Sequence, residues 1–277
     1  MDKRYREIFA RNIGILTETE QDKLRRSTIA IAGVGGIGGL LAERLVRLGV
    51  GRLKLTDPGV FEESNFNRQF ASSMLSLGRN KAEVVYEQLR DINPEAHIDY
   101  SGDGIRTEND ASLFVSDCDL VIDVMDYNLF KQSIYLQRAA RQRRIHYFFA
   151  SAVGFGALVV IFDPRGLTLE EYDNLPPGIE LSGVGKLEVP LERIVPIIPS
   201  YAPVTTYDAV KDIYAGERPG TTVSIGVGLA SILAASEAIN IILKKRDITV
   251  APQYTYIDLL DRRFIVGAVS NLPEHTA

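Results

Sequence analysis

The sequence predicts an α/β fold: a doubly wound, mainly parallel sheet with helices on both faces and a loop-rich insertion toward the C-terminal end. Three features carry this reading. From residue 28 to 150, short β-branched runs alternate with longer amphipathic stretches. A glycine-rich turn, Gly33 to Gly38, separates the first run from the first amphipathic stretch. The runs are near-continuous in apolar residues, as strands covered on both faces must be.

In chain order, Thr28 to Ala32 reads as a buried strand, Gly39 to Leu48 as a helix stopped by Gly49, and Leu53 to Thr56 as the second strand. Lys81 to Ile92 spaces Val84, Val85, Leu89 and Ile92 as one helical face and ends before Pro94. Asp119 to Asp123 follows as a third apolar strand, then a helix over 129–143, a strand over 146–150 and another over 156–162. Residues 164–220 hold eight prolines and six glycines, a density that breaks regular periodicity and marks a loop-rich insertion carried on the sheet. A long apolar helix near 222–245 and strands over 254–259 and 264–269 complete what we read as a single domain spanning 1–277.

Composition narrows the function. With 277 residues and 45% hydrophobic side chains, the chain can bury a core without staples. Its net charge of −5 supplies no field to draw it onto nucleic acid or an anionic membrane, so any anion site must be local. The stretch from Thr222 to Leu243 approaches bilayer length but contains Ser224, Ser231, Ser236, Glu237 and Asn240, which favours a helix in a core or interface over a membrane span. Cys118 is the sole cysteine, so a disulfide framework and a four-cysteine zinc site are excluded and a reduced, cytoplasmic setting is expected.

The strand-turn-helix around Gly33-Val-Gly35-Gly36-Ile-Gly38 is a phosphate cradle: glycines allow a tight turn and let helix N-terminal amides approach an anion. Asp57 ends the second strand 19 residues after Gly38, where a carboxylate accepts ribose hydroxyls. To this point an NAD(P)-dependent oxidoreductase fits equally well. The following segment favours a triphosphate. Asn65, Asn67, Arg68 and Gln69 arrive in one loop, and Lys81 opens the next helix. Taken singly these are ordinary surface residues, but in this order they suit charge that moves as pyrophosphate departs.

In this ordered set the chain resembles the ThiF/MoeB/HesA adenylyltransferases, the bacterial relatives of ubiquitin-activating enzymes. The matching elements are the glycine loop, Asp57, Ser64-Asn65-Phe-Asn67-Arg68-Gln69, Gly78-Arg-Asn-Lys81-Ala82 and the strand ending Val-Ile-Asp-Val-Met-Asp126. The resemblance implies a Rossmann-like fold that uses ATP and Mg²⁺ to activate a carboxylate. The substrate would be the C-terminus of a peptide or of a ubiquitin-like or sulfur-carrier protein, or a small molecule. It implies that Gly33, Gly35, Gly36, Gly38, Asp57, Asn65 and Gln69 bind the nucleotide, that Arg68 and Lys81 neutralise its phosphates, and that Asp126 holds Mg²⁺. It also implies a homodimer in which Arg11, or Arg6 in its place, reaches the partner's site. Two departures stand out: Tyr127 replaces the usual asparagine beside Asp126, and Gly59 stands where many members are acidic.

Cys118 enters a buried strand, the place of a packing residue rather than a nucleophile, so no internal thioester is expected. His97, His146 and His275 are too scattered to bind a metal together, and Asp173, Asp208 and Asp212 read as solvated loop carboxylates. An acceptor pocket is expected between Gly154-Phe155-Gly156 and the insertion. A third possibility is a nucleotide-binding partner protein without catalysis; Arg68, Lys81 and Asp126 argue against it, since binding alone does not need them.

Overall fold

The computed structural model describes residues 3–182, 187–202, 210–213, 217 and 220–270. Asp208, His275 and parts of the 164–220 insertion lie outside these residues. One eight-stranded sheet runs through the molecule in the order β3-β2-β1-β4-β5-β6-β7-β8. Its strands are β1 (Thr28–Ala32), β2 (Arg52–Thr56), β3 (His97–Ser101), β4 (Leu120–Asp123), β5 (His146–Val153), β6 (Gly156–Phe162), β7 (Gln253–Asp258) and β8 (Arg263–Ala268). The first five are mutually parallel, and β6 to β8 are antiparallel additions at one side.

Both faces are covered, and side-chain alternation along β1 shows it. Ile29 and Ile31 enter one core, while Ala30 and Ala32 enter the other. On the first side lie α2 (Glu18–Arg26), α3 (Gly36–Arg47), α4 (Lys81–Ile92) and the long α9 (Ser224–Leu243); on the second lie α5 (Glu108–Phe114), α6 (Phe130–Gln142) and α7 (Leu169–Tyr172). A short α1 (Lys3–Ile8) precedes these helices, and α8 (Leu191–Ile194) lies within the insertion. Helix α9 is long and apolar enough to cross a bilayer, but 67% of its apolar window is buried, packed on α3, β5 and β6. It is a core helix, ended by Lys244 in the left-handed conformation at φ 59°.

The sheet register sets up the site. Ala32 pairs with Thr56 on one side and with Asp123 on the other, so Gly33, Asp57 and Val124 leave the sheet together at its carboxyl edge, where open α/β sheets bind ligands.

The structure adds two elements to the expected order. β3 and α5 fall between the helix at Lys81 and the strand expected third, which is therefore the fourth. β3 is an edge strand with one buried residue, Ile98, and so carries no apolar run. The helix expected from Gly39 begins at Gly36, within the glycine loop itself.

Candidate nucleotide-binding and active site

The glycine loop has its shape because side chains would not fit. Gly33 has φ +86°, and a Cβ there would lie 2.7 Å from the Val124 carbonyl oxygen; at Gly38 a Cβ would lie 1.9 Å from the Gly33 oxygen. This packing locks the first turn of α3 against β1 and β4. The amides of Gly36, Ile37 and Gly38 are first-turn donors, which a helix leaves without an intrahelical acceptor. At Gly35 the nearest neighbour of an added Cβ would be the Gln69 side chain, at 3.5 Å.

Asp57 is tied into this loop. Its Oδ2 accepts the Val34 amide and its Oδ1 accepts the Gly59 amide, each at 2.8 Å. Each carboxylate oxygen has two lone pairs, so both retain capacity for a sugar hydroxyl. Asn80 serves as N-cap of α4, accepting the Glu83 amide, and donates through Nδ2 to the carbonyls of Asp57 and Gly59. That cap, not read from the sequence, holds the N-terminus of α4 and hence Lys81 beside Asp57. At Gly59 a Cβ would lie 3.0 Å from Asp57 Oδ1 and 3.3 Å from Lys81 Nζ, so a side chain there requires those two groups to give way by a few tenths of an ångström.

The 64–69 segment closes over the glycine loop. Asn65 is buried and its Oδ1 accepts the Glu62 amide, which shapes the turn rather than facing outward. Arg68 Nη1 donates to the Ser64 carbonyl and to Asn67 Oδ1, and its Cγ lies 3.7 Å from where a Gly36 Cβ would be. Asn67 in turn donates to the Thr222 carbonyl before α9. Gln69 is 7% exposed, and its Oε1 is buried without a hydrogen-bond partner. An orphaned amide beside open glycines fits an anion there, because the side-chain NH₂ can be turned to donate.

Asp126 is exposed on the loop after β4. Asp123, three residues earlier, is 4% exposed and already engaged: Oδ1 accepts the Met125 amide at 3.0 Å and Oδ2 accepts the Tyr147 hydroxyl at 2.7 Å. Burial pushes its carboxyl above the ordinary value against the pull of these bonds. Among the described residues no group of three His, Cys, Asp or Glu side chains is placed to hold a metal ion. The arrangement still suits Mg²⁺, which is commonly bound by one or two carboxylates plus phosphate oxygens. Asp126 is the carboxylate available for it.

Arg11 does not join this site within one chain. Its neighbour Asn12 bonds Gln21 and the Leu48 carbonyl, at the C-terminal end of α3, while the glycine loop is at the other end. The twelve residues of α3 rise roughly 18 Å at 1.5 Å each. Arg6, also exposed, belongs to the same N-terminal region.

Beneath Asp126 a small cleft, open to solvent, runs between β4, β5, α6 and the insertion. Asp123, Ser133, Tyr147, Ser151, Asp173 and Arg193 supply its polar lining. This corrects the reading of Asp173 as solvated: it is 4% exposed, because α7 folds down onto Phe149 and Phe162 through Tyr172. The insertion does contribute to the cleft, but the 154–156 turn does not. Tyr201 fills that corner, its hydroxyl accepting the Phe155 amide and donating to Asp258. Sequence reasoning missed Asp123, Tyr147 and Arg193; a carboxylate ending a wholly buried strand was the available signal.

The fold and site are those of the doubly wound, nucleotide-binding class, with a glycine-rich loop at the N-terminus of the first crossover helix. Within that class the chain belongs to the ThiF family, whose family model matches residues 9–274. The tRNA threonylcarbamoyladenosine dehydratase of Bacillus subtilis is 33% identical over 137 residues, covering 50% of this chain and 53% of the relative. Ubiquitin-like modifier-activating enzyme 5 of Caenorhabditis elegans is 36% identical over 104 residues, covering 38% of this chain and 24% of the relative. The chain thus spans about half the length, or less, of these curated relatives. The crystal structure of Escherichia coli MccB with ATP superposes with a TM-score of 0.70 at 20% identity, over 99% of this chain and 73% of that one. At that identity the likeness concerns the fold.

Proposed function

We propose that the protein activates a substrate carboxylate with ATP, forming an acyl-adenylate and releasing pyrophosphate. The observation that carries this reading is that Gln69 and Arg68 lie against Gly35 and Gly36 at the head of α3, while Asp57, bonded to Val34 of the same loop, meets Lys81 around Gly59. Hydride transfer builds no charge on phosphate oxygens, so its chemistry does not call for cations beside the phosphate-binding amides. In this reading the first-turn amides and Gln69 take phosphate oxygens, and Asp57 takes the ribose. A carboxylate oxygen of the substrate forms a bond to the α-phosphorus while the bond from that phosphorus to the bridging oxygen of pyrophosphate breaks. Arg68 and Lys81 stabilise the charge accumulating on the departing oxygens. Arg68 is held by the Ser64 carbonyl and Asn67, bonds it would exchange for phosphate oxygens. Asp126 would hold Mg²⁺, which supplies charge neutralisation across the phosphates.

Cys118 supports direct transfer from the adenylate without an enzyme thioester. It precedes β4, at the edge of the sheet opposite the site, and burial raises its thiol to about 11. The carboxylate's owner belongs to the proposal: a peptide or ubiquitin-like C-terminus suits an enzyme of this family, and the net charge of −5 supplies no overall attraction for RNA. A homodimer is part of the same reading. Ile225 and Ile232 of α9 are 53% and 52% exposed on one stripe, an apolar face for a second copy to cover.

The test is incubation of peptide and metabolite fractions with ATP and Mg²⁺, followed by mass spectrometry for species heavier by one adenylyl group. We expect such species with the wild-type protein and none with Asp126→Ala. Thermal stabilisation by NAD but not by ATP with Mg²⁺ would overturn the reading. Light scattering showing only a monomer would remove the role of Arg11 across an interface.

A further inference from the structure

The first turn of α9 touches the glycine loop, a contact that the chemistry above leaves unused. Val227 is buried, and its two methyl groups would lie 3.1 and 3.4 Å from a Cβ on Gly36. Gly36 opens α3, so this valine packs on a residue whose amide has no intrahelical acceptor. Just before α9, the Thr222 carbonyl accepts the Asn67 side-chain amide at 3.2 Å, and Asn67 Oδ1 accepts Arg68. The entry of α9 thus bears on both the loop and its neighbouring arginine.

The other side of that entry rests on the hairpin turn between β5 and β6. A Cβ on Gly226 would lie 2.2 Å from the Gly154 carbonyl oxygen, so helix and turn meet backbone to backbone. The insertion holds the turn in place. The Tyr201 hydroxyl accepts the Phe155 amide at 2.6 Å and donates to Asp258 Oδ2 at 2.8 Å, and the rings of Phe155 and Tyr201 meet edge to face. Ser200 adds two bonds to Asp261, from its amide and from its hydroxyl. Every step from Tyr201 through Gly154 and Gly226 to Val227 and Gly36 is a packed or hydrogen-bonded contact, and close packing leaves little slack to absorb a shift.

Resting on the adenylation reading above, we propose that the entry of α9 couples the insertion to the nucleotide. Val227 is a positioning residue that seats Gly36, and Tyr201 fixes where Val227 stands. The glycine loop then binds ATP most tightly while Tyr201 holds the 154–155 turn. Because coupling between two sites is reciprocal, bound ATP in turn steadies Tyr201 on that turn.

The experiment measures ATP affinity in the presence of Mg²⁺ by calorimetry, together with urea stability and deuterium exchange, in the full chain. Val227→Ala removes both methyl groups from Gly36 and should weaken ATP about tenfold, the scale on which small misplacements of binding groups act. Val227→Thr keeps the branched shape and should stay within about threefold of the wild-type affinity, even though its buried hydroxyl lowers stability. Leu233→Ala, in the core on the same helix, should lower stability and leave affinity unchanged. Tyr201→Phe loses both hydroxyl bonds and should weaken ATP about threefold alone, yet add nothing in the Val227→Ala background. Saturating ATP should slow exchange at 154–156 and 200–202 in the wild-type protein and not in Val227→Ala. Unchanged affinity in Val227→Ala, an equal loss in Val227→Thr and Leu233→Ala, or additive losses in the double variant would overturn the coupling while leaving adenylation standing. No ATP binding by the wild-type protein would overturn the adenylation reading and the coupling with it.

Discussion

The Asp57 carboxylate accepts the backbone amide of Val34 at 2.8 Å, so the residue expected to hold ribose also fixes the second residue of the phosphate loop. With Gly59 on the other oxygen, Asp57 is a brace across the ends of β1 and β2. Asp57→Asn replaces one acceptor by an NH₂ that faces an amide donor. Hydrogen bonds to a charged group contribute about 1.5–3 kcal/mol, so ATP binding by calorimetry should weaken roughly 10- to 100-fold, with the circular dichroism spectrum unchanged.

Gly38→Ala tests the loop geometry separately from its charge. The added Cβ would lie 1.9 Å from the Gly33 oxygen, so β1 and α3 must separate. Overpacking of this kind costs about 1–3 kcal/mol, and urea melts should show it together with loss of the ATP-induced thermal shift. Gly228→Ala in α9, where an added Cβ would meet nothing within 4 Å, should instead gain about 0.5–1 kcal/mol and keep the thermal shift.

Cys118 should be inert. With its thiol raised to about 11 by burial, only about one molecule in a thousand carries a thiolate at pH 8. Iodoacetamide at that pH should label the urea-unfolded chain and leave the native chain unlabelled, and Cys118→Ser should retain adenylate formation. A covalent adduct between substrate and Cys118 would contradict direct transfer.

The parts of the sheet legible in the sequence are those buried on both faces. β1, β4 and β6 are buried at every position, so apolar runs announced them. β3 was not legible because edge position leaves His97, Asp99 and Tyr100 exposed. For the candidate site, glycines and charges in chain order were enough to single out the turn at Gly33 and the neighbouring Asp57 and Lys81, which the structure brings together. The Asp173 cleft was hidden for a different reason. Its members come from β4, β5, α7 and α8, and a carboxylate in a proline-rich stretch resembles any solvated one until Tyr172 anchors that stretch on the sheet. No local pattern encodes that anchoring.

Asp173 also makes a prediction about pH. Burial and the like charge of Glu170 raise its carboxyl well above the ordinary 3.8, against the opposing pull of Arg193. The folded protein therefore keeps a proton that the unfolded chain releases above pH 3.8. Stability from this group is fully present below that pH and is lost as pH rises toward the folded value. Asparagine in its place has no proton to lose. Asp173→Asn should consequently unfold at a higher temperature than the wild-type protein at pH 7, and the gap should shrink as the pH falls to 4. A gap that instead widened on acidification would mean that Asp173 is ionised in the folded protein and held so by Arg193.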